Sequence, residues 1–167
     1  MTLRLLLIRH AKSDWGDPRL PDHERPLNGR GRRDAPRMGR WIAEGGLAPE
    51  EVLCSDALRT RETLDLMLPE WPRAPRVSHH RALYHATPEA MLAVLEEAEA
   101  ESVALVGHNP GIGQLAGLLA RDAPDHPRWG DYPTASVAAL AFEAAGWSDI
   151  REGRGEVLAF AIPADLG

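Results

Sequence analysis

Residues 3–8 read Leu-Arg-Leu-Leu-Leu-Ile, and the run stops abruptly at Arg9-His10. A short, nearly continuous aliphatic stretch belongs to a strand covered on both faces, as in a parallel sheet flanked by helices. Arginine and histidine are costly to bury. Their place at the end of such a strand points to a use for both.

The rest of the chain supports that sheet. Asn28 to about Glu44 reads as a helix with Ala35, Met38, Trp41 and Ile42 on one face, stopped by Gly45-Gly46. Pro36 implies a kink, or a regular part that begins near Asp34. Glu51–Cys54 is a short strand, and Ser55 or Asp56 can cap a helix over 57–67. A strand near Arg76–Ser78 follows. Thr87-Pro88 then opens a helix to about Glu99. Val103–Val106 is a second buried strand; Asn109 as cap and Pro110 as first residue open a helix to about Leu119. After a polar loop, Val137–Phe142 and Val157–Ile162 suit a hairpin-like pairing. The β-α-β-α alternation predicts a three-layer α/β/α sandwich with a mainly parallel central sheet.

The 167 residues suit a single domain, residues 1–167. A net charge of −6 disfavours nucleic acid or an anionic membrane as partner. The arginine-rich stretch 25–40 reads first as a solvated helix surface and second as a face for an anionic substrate. Cys54, the one cysteine, reads as a core residue. No secretory or membrane-spanning segment is evident, so a cytoplasmic location is expected.

Three strand ends look alike. One finishes in Arg9-His10, one in Ser55 before a helix carrying Arg59, and one in Gly107-His108-Asn109. Ligands of open α/β sheets bind beyond the carboxyl ends of the parallel strands. Two guanidiniums, two imidazoles and helix N-termini around one crevice would hold an anion such as phosphate. No carboxylate pair suggests a metal, no Gly-x-x-x-x-Gly-Lys loop is present, and no cofactor is implied. Histidine is a competent nucleophile at neutral pH.

The segments LLLIRHAKS, RPLNGRGRRDA, VLCSDALRTRET and VALVGHNPG resemble, in order, those of the histidine phosphatase superfamily, the phosphoglycerate-mutase-like group. Arg-His-Ala and the later YPTAS, residues 132–136, are similar to its short SixA-type branch of phosphohistidine phosphatases. The resemblance implies that His10 is the nucleophile and becomes a phosphohistidine. It implies that Arg9 and Arg59 clamp the phosphoryl oxygens and that His108 donates to them. Ser13, Arg25, Asn28 and Asn109 are further candidates for the phosphate pocket, against competing roles in loop bonding, solvent exposure and capping.

Two departures matter. Gly16 stands where many mutase-type members carry asparagine, and "ALYHATPEA" offers no clear equivalent of their Leu-x-Glu acid. Neither His85 nor Glu89 matches that acid, and His79, His80 and His85 read as part of a surface strand. A P–N bond breaks with little help, whereas an alkyl ester needs a general acid. The expected activity is therefore metal-independent removal of phosphate from protein phosphohistidine. Hydrolysis of small phosphate esters or anhydrides is the alternative, and a noncatalytic phosphate-binding module the second.

Overall fold

The computed structural model describes residues 1–167. Six strands form one sheet: β1 Thr2–Arg9, β2 Glu51–Ser55, β3 Arg76–His80, β4 Ser102–Gly107, β5 Val137–Glu143 and β6 Glu156–Ala161. Their order is β3-β2-β4-β1-β5-β6. β1 to β4 run parallel, and β5 is antiparallel to both β1 and β6. The expected pairing of the last two strands is present, with Val137 opposite Ala161.

Four helices, α1 Gly29–Glu44, α2 Leu58–Met67, α3 Pro88–Leu95 and α4 Gly111–Leu119, cover the sheet. Side chains of a strand alternate between faces, and β1 shows what that accomplishes. Leu6 and Ile8 join Ala35, Met38 and Ile42 of α1 and Leu64 and Met67 of α2 in one core. Leu5 and Leu7 join Met91 and Leu95 of α3 and Ile112 and Leu115 of α4 in the other. The aliphatic run is continuous because both faces are covered.

Helix starts follow local chemistry. The Asn28 side chain accepts from the Gly31 N–H at 2.9 Å, and Thr87 accepts from Ala90 at 3.2 Å. Pro36 lies inside α1, which runs from Gly29 without a break, so the regular part does not wait for Asp34. The expected caps of α2 and α4 are corrected. Ala57 caps α2 without a side-chain bond. The Ser55 hydroxyl is engaged elsewhere, as described below. α4 begins one residue late, with Pro110 as cap; Asn109 instead accepts from the Gly113 N–H at 3.2 Å.

The register sets the site. Arg9 pairs with Gly107, and Cys54 with Val106. The carboxyl ends of β1, β4 and β2 therefore lie side by side, with neighbouring strands about 4.8 Å apart.

Candidate active site

A pocket of about 330 Å³ opens at these three ends. Arg9, His10, Arg59 and His108, all singled out in the sequence, line it together. His10 continues β1 by donating its N–H to the Gly107 carbonyl at 3.1 Å. Its own carbonyl accepts from Ala135 at 2.9 Å, and Arg9 donates to the Tyr132 carbonyl at 3.0 Å. The 132–136 segment thus braces the strand end. Thr63 fixes α2 against it, accepting from the Ala11 N–H at 2.9 Å and donating to the Arg59 carbonyl at 2.7 Å.

The nucleophile candidate is oriented by a single bond. Nδ1 of His10 lies 2.7 Å from the Ala11 carbonyl oxygen. A carbonyl only accepts, so Nδ1 carries the hydrogen and Nε2 keeps its lone pair. Burial, reinforced by Arg59, Arg9 and Arg25 and only partly opposed by the Ala11 bond, pushes the His10 pKa down to about 3. The ring is neutral at neutral pH.

His108 is its neighbour, ring centroids 5.3 Å apart. Nε2 of His108 lies 2.8 Å from the Ser55 hydroxyl, while its buried Nδ1 has no partner in the protein. The Ala57 N–H approaches Ser55 Oγ at 3.4 Å. The Ser55 hydroxyl finds no other acceptor in the protein, so it donates to Nε2, which places the hydrogen of His108 on Nδ1. Burial first, then His10 and Arg59, lowers the His108 pKa to about 2. Nε of Arg9 and Nε of Arg59 are likewise buried without a partner. Three N–H donors in the wall of one pocket make a cradle for a tetrahedral oxyanion.

Among the further candidates, Ser13, Arg25 and Asn109 line the pocket. Arg25 corrects the expectation of a solvated arginine. It is buried, with Nη1 donating to Ser13 Oγ at 2.8 Å and to the Asp14 carbonyl at 3.1 Å. The other arginines of 25–40 are exposed or half-buried. Asn28 caps α1 and does not join the pocket lining. Trp15 stands at the rim, its ring 3.4 Å from the Arg25 guanidinium.

Lys12 and Thr134 line the pocket without having been singled out in the sequence, and two more strongly held pocket residues also went unrecognised. Asp22, on a single turn Asp22–Glu24, accepts from Arg59 Nη2 at 3.0 Å, from Arg25 Nε at 3.1 Å and from the Tyr84 hydroxyl. Its backbone carbonyl takes Arg59 Nη1 at 2.7 Å. Burial would raise the carboxyl pKa, but the bonds from Tyr84, Arg59 and Arg25 outweigh it and hold the group far below the carboxylate range. The second is His85, which is not on the surface strand: β3 ends at His80, and His85 faces the pocket. The signal was its position in Leu-Tyr-His, where a carboxylate was sought and an imidazole stands.

A cavity of similar volume, about 340 Å³, lies beside β5, but charges of both signs line it and it has no histidine or thiol. No group of three or more His, Cys, Asp or Glu is arranged to hold a metal ion. No helix is long and apolar enough to cross a membrane.

Comparison with known proteins fits this geometry. The sequence model of the histidine phosphatase superfamily, branch 1, matches residues 5–84. The uncharacterised protein Rv1276c of Mycobacterium tuberculosis is 32% identical over 163 residues, covering 93% of this chain and 99% of its own. A candidate phosphohistidine phosphatase SixA from Agrobacterium tumefaciens superposes with a TM-score of 0.81 at 27% identity, over 96% of this chain and 98% of that one. Another, from Nakamurella multipartitia, gives 0.80 at 28%, over 98% and 97%.

Proposed function

The chain belongs to the histidine phosphatase superfamily, in its SixA-type branch, and is a phosphatase; on that premise we propose that it works through a covalent phosphohistidine on His10 and removes phosphate from protein phosphohistidine. The observation that carries the chemistry is the Ala11 bond to Nδ1 of His10, which leaves Nε2 as a lone pair in a pocket of guanidiniums.

In the first half, Nε2 attacks phosphorus, and the bond to the leaving group breaks. A loose phosphoryl-transfer transition state spreads charge over the equatorial oxygens. Arg9, Arg59 and Nδ1–H of His108 meet that charge without having to reorganise. In the second half, water attacks the phosphorus of phospho-His10, and the imidazole is regained. No metal takes part in this scheme.

Two features favour a phosphohistidine substrate. The pocket's one carboxylate, Asp22, is committed to Arg59, Arg25 and Tyr84, so no carboxylic acid awaits an alkoxide. A P–N bond to a leaving imidazole does not need one. The rim is also open: Trp15 is 71% exposed and the His85 side chain is 52% exposed. A histidine presented on a protein surface can reach such a pocket.

The test is hydrolysis, without added metal, of a phosphohistidine-bearing carrier protein beside ordinary esters. We expect the carrier to be the faster substrate and acid-labile phosphate to be trapped on the wild type but not on His10→Ala. Full hydrolysis by His10→Ala overturns the nucleophile; a clear preference for esters overturns the substrate.

A further inference from the structure

We propose that His85 is the proton donor to the leaving group, and that through it this pocket also hydrolyses phosphate monoesters of alcohols. The proposal rests on His10 as nucleophile and goes beyond the phosphohistidine substrate.

His85 is held in the pocket from several directions. Its Nε2 lies 3.2 Å from Arg59 Nη2 and 3.3 Å from Asp22 Oδ2. Its ring stacks on Tyr84 at 4.1 Å, with 21° between the planes, and stands edge-on to His108 at 5.4 Å. The backbone takes a left-handed φ of 51°, uncommon for a residue with a side chain. The next carbonyl, of Ala86, presses on Gly111 so closely that no side chain fits there. The His85 turn is therefore fixed to the start of α4, three residues beyond His108.

That position answers a chemical need. A phosphoryl oxygen that accepts from the unpartnered Nε–H of Arg59 sits on the same guanidinium that His85 flanks at Nη2. His85 lines the same pocket, beside that guanidinium, and can reach the substituent that departs. The other polar groups of the pocket are unsuited to giving it a proton. Guanidiniums do not release theirs. His10 is bonding to phosphorus, Asp22 is engaged as an anion, and Nδ1–H of His108 serves the phosphoryl oxygens. Lys12 sits on the nucleophile's own loop. Imidazole is the side chain that gives and takes protons near neutral pH.

The steps balance. Nε2 of His10 bonds to phosphorus as the P–O bond breaks; the electron pair stays on the alcohol oxygen, which takes the Nδ1 proton of the His85 imidazolium, whose Nε2–H is held by Asp22. The alcohol leaves and His85 is neutral. Water then bonds to phosphorus while giving a proton to His85. The P–N bond breaks with its pair returning to His10, and inorganic phosphate departs.

His85→Gly and His85→Asn both suit a left-handed backbone, so the fold is preserved. Asparagine still accepts a bond from Arg59 but has no transferable proton. Wild type and both variants are compared on phosphoserine, p-nitrophenyl phosphate and phosphoramidate. The loss should track leaving-group basicity, about 10²- to 10⁴-fold on phosphoserine, less on the nitrophenyl ester and least on phosphoramidate. Added imidazole should restore phosphoserine turnover to His85→Gly. Equal losses on all three substrates, an undiminished phosphoserine rate, or no wild-type phosphoserine turnover would overturn the assignment. His10→Ala in the same series separates the two readings, because hydrolysis that survives there removes the nucleophile instead.

Discussion

Nε2 of His108 sits 2.8 Å from the hydroxyl of Ser55, across two adjacent strand ends. With no other acceptor in the protein, the Ser55 hydroxyl gives its proton to the imidazole and fixes which nitrogen of His108 carries the hydrogen. Ser55→Ala leaves the ring free to adopt the other tautomer. A lost neutral hydrogen bond is worth about 1 kcal/mol, so kcat should fall by roughly tenfold, with KM changed much less. Steady-state kinetics on one phosphorylated substrate checks the split. A fall confined to KM would mean that Ser55 shapes the pocket and does not orient the His108 donor.

Arg59 should not tolerate lysine. Its Nη1 and Nη2 are spent on the carbonyl and carboxylate of Asp22, and only the buried Nε–H lacks a partner. A lysine ammonium is a point charge without that fork. Arg59→Lys should keep the positive charge yet lose about 10²-fold or more in kcat/KM, as when an oxyanion donor is removed. Near wild-type kinetics would show that charge alone suffices.

Gly31 lies in the first turn of α1 against the Lys12 backbone, and a side chain there would meet the Lys12 carbonyl at an impossible distance. Backbone cannot yield as a flexible side chain can. Gly31→Ala should push residues 10–13 outward and cost about 1–3 kcal/mol of stability, with a loss of activity larger than the stability change explains. Denaturant unfolding and kinetics on the same preparation measure both. Unaltered activity would show that the nucleophile's loop is not set by this contact.

The frame of the pocket was legible in the sequence because a strand that turns from aliphatic to Arg-His, or from Val to Gly-His, marks its own end. Apolar periodicity located β1, β2 and β4, and the fold class then implied that their ends meet. What escaped lies on single turns and loops, where no period exists. Asp22 follows Pro21, and His85 occupies a left-handed turn. Arg25 looked like one more arginine of a solvated helix. It is buried because the loop before α1 folds back onto Ser13 and Asp14. The α2 cap was misplaced for a related reason: Ser55 offers one hydroxyl, and His108, distant in sequence, takes it.

The buried imidazoles make stability depend on pH with a definite sign. An unfolded histidine takes up a proton near pH 6.5. In the folded protein burial, Arg59, Arg9 and Arg25 hold His10 down to about 3; burial, His10 and Arg59 hold His108 down to about 2. Between those limits the unfolded chain binds more protons, so stability falls as pH falls below about 6.5. Asp22 acts in a lower window. Its depressed pKa contributes stability that is lost only as pH drops below the ordinary aspartate value of 3.8. Unfolding measured from pH 7 to 5.5 therefore isolates the histidines, above the range in which Glu51, whose carboxyl is held below its ordinary value of 4.5, begins to contribute. Each can add at most about 1.4 kcal/mol per pH unit to the slope. His10→Gln removes one such group while every other histidine stays in place, so its stability should decline less steeply than that of the wild type. Parallel slopes would mean that His10 is already charged in the folded protein, and a charged imidazole has no lone pair with which to attack phosphorus.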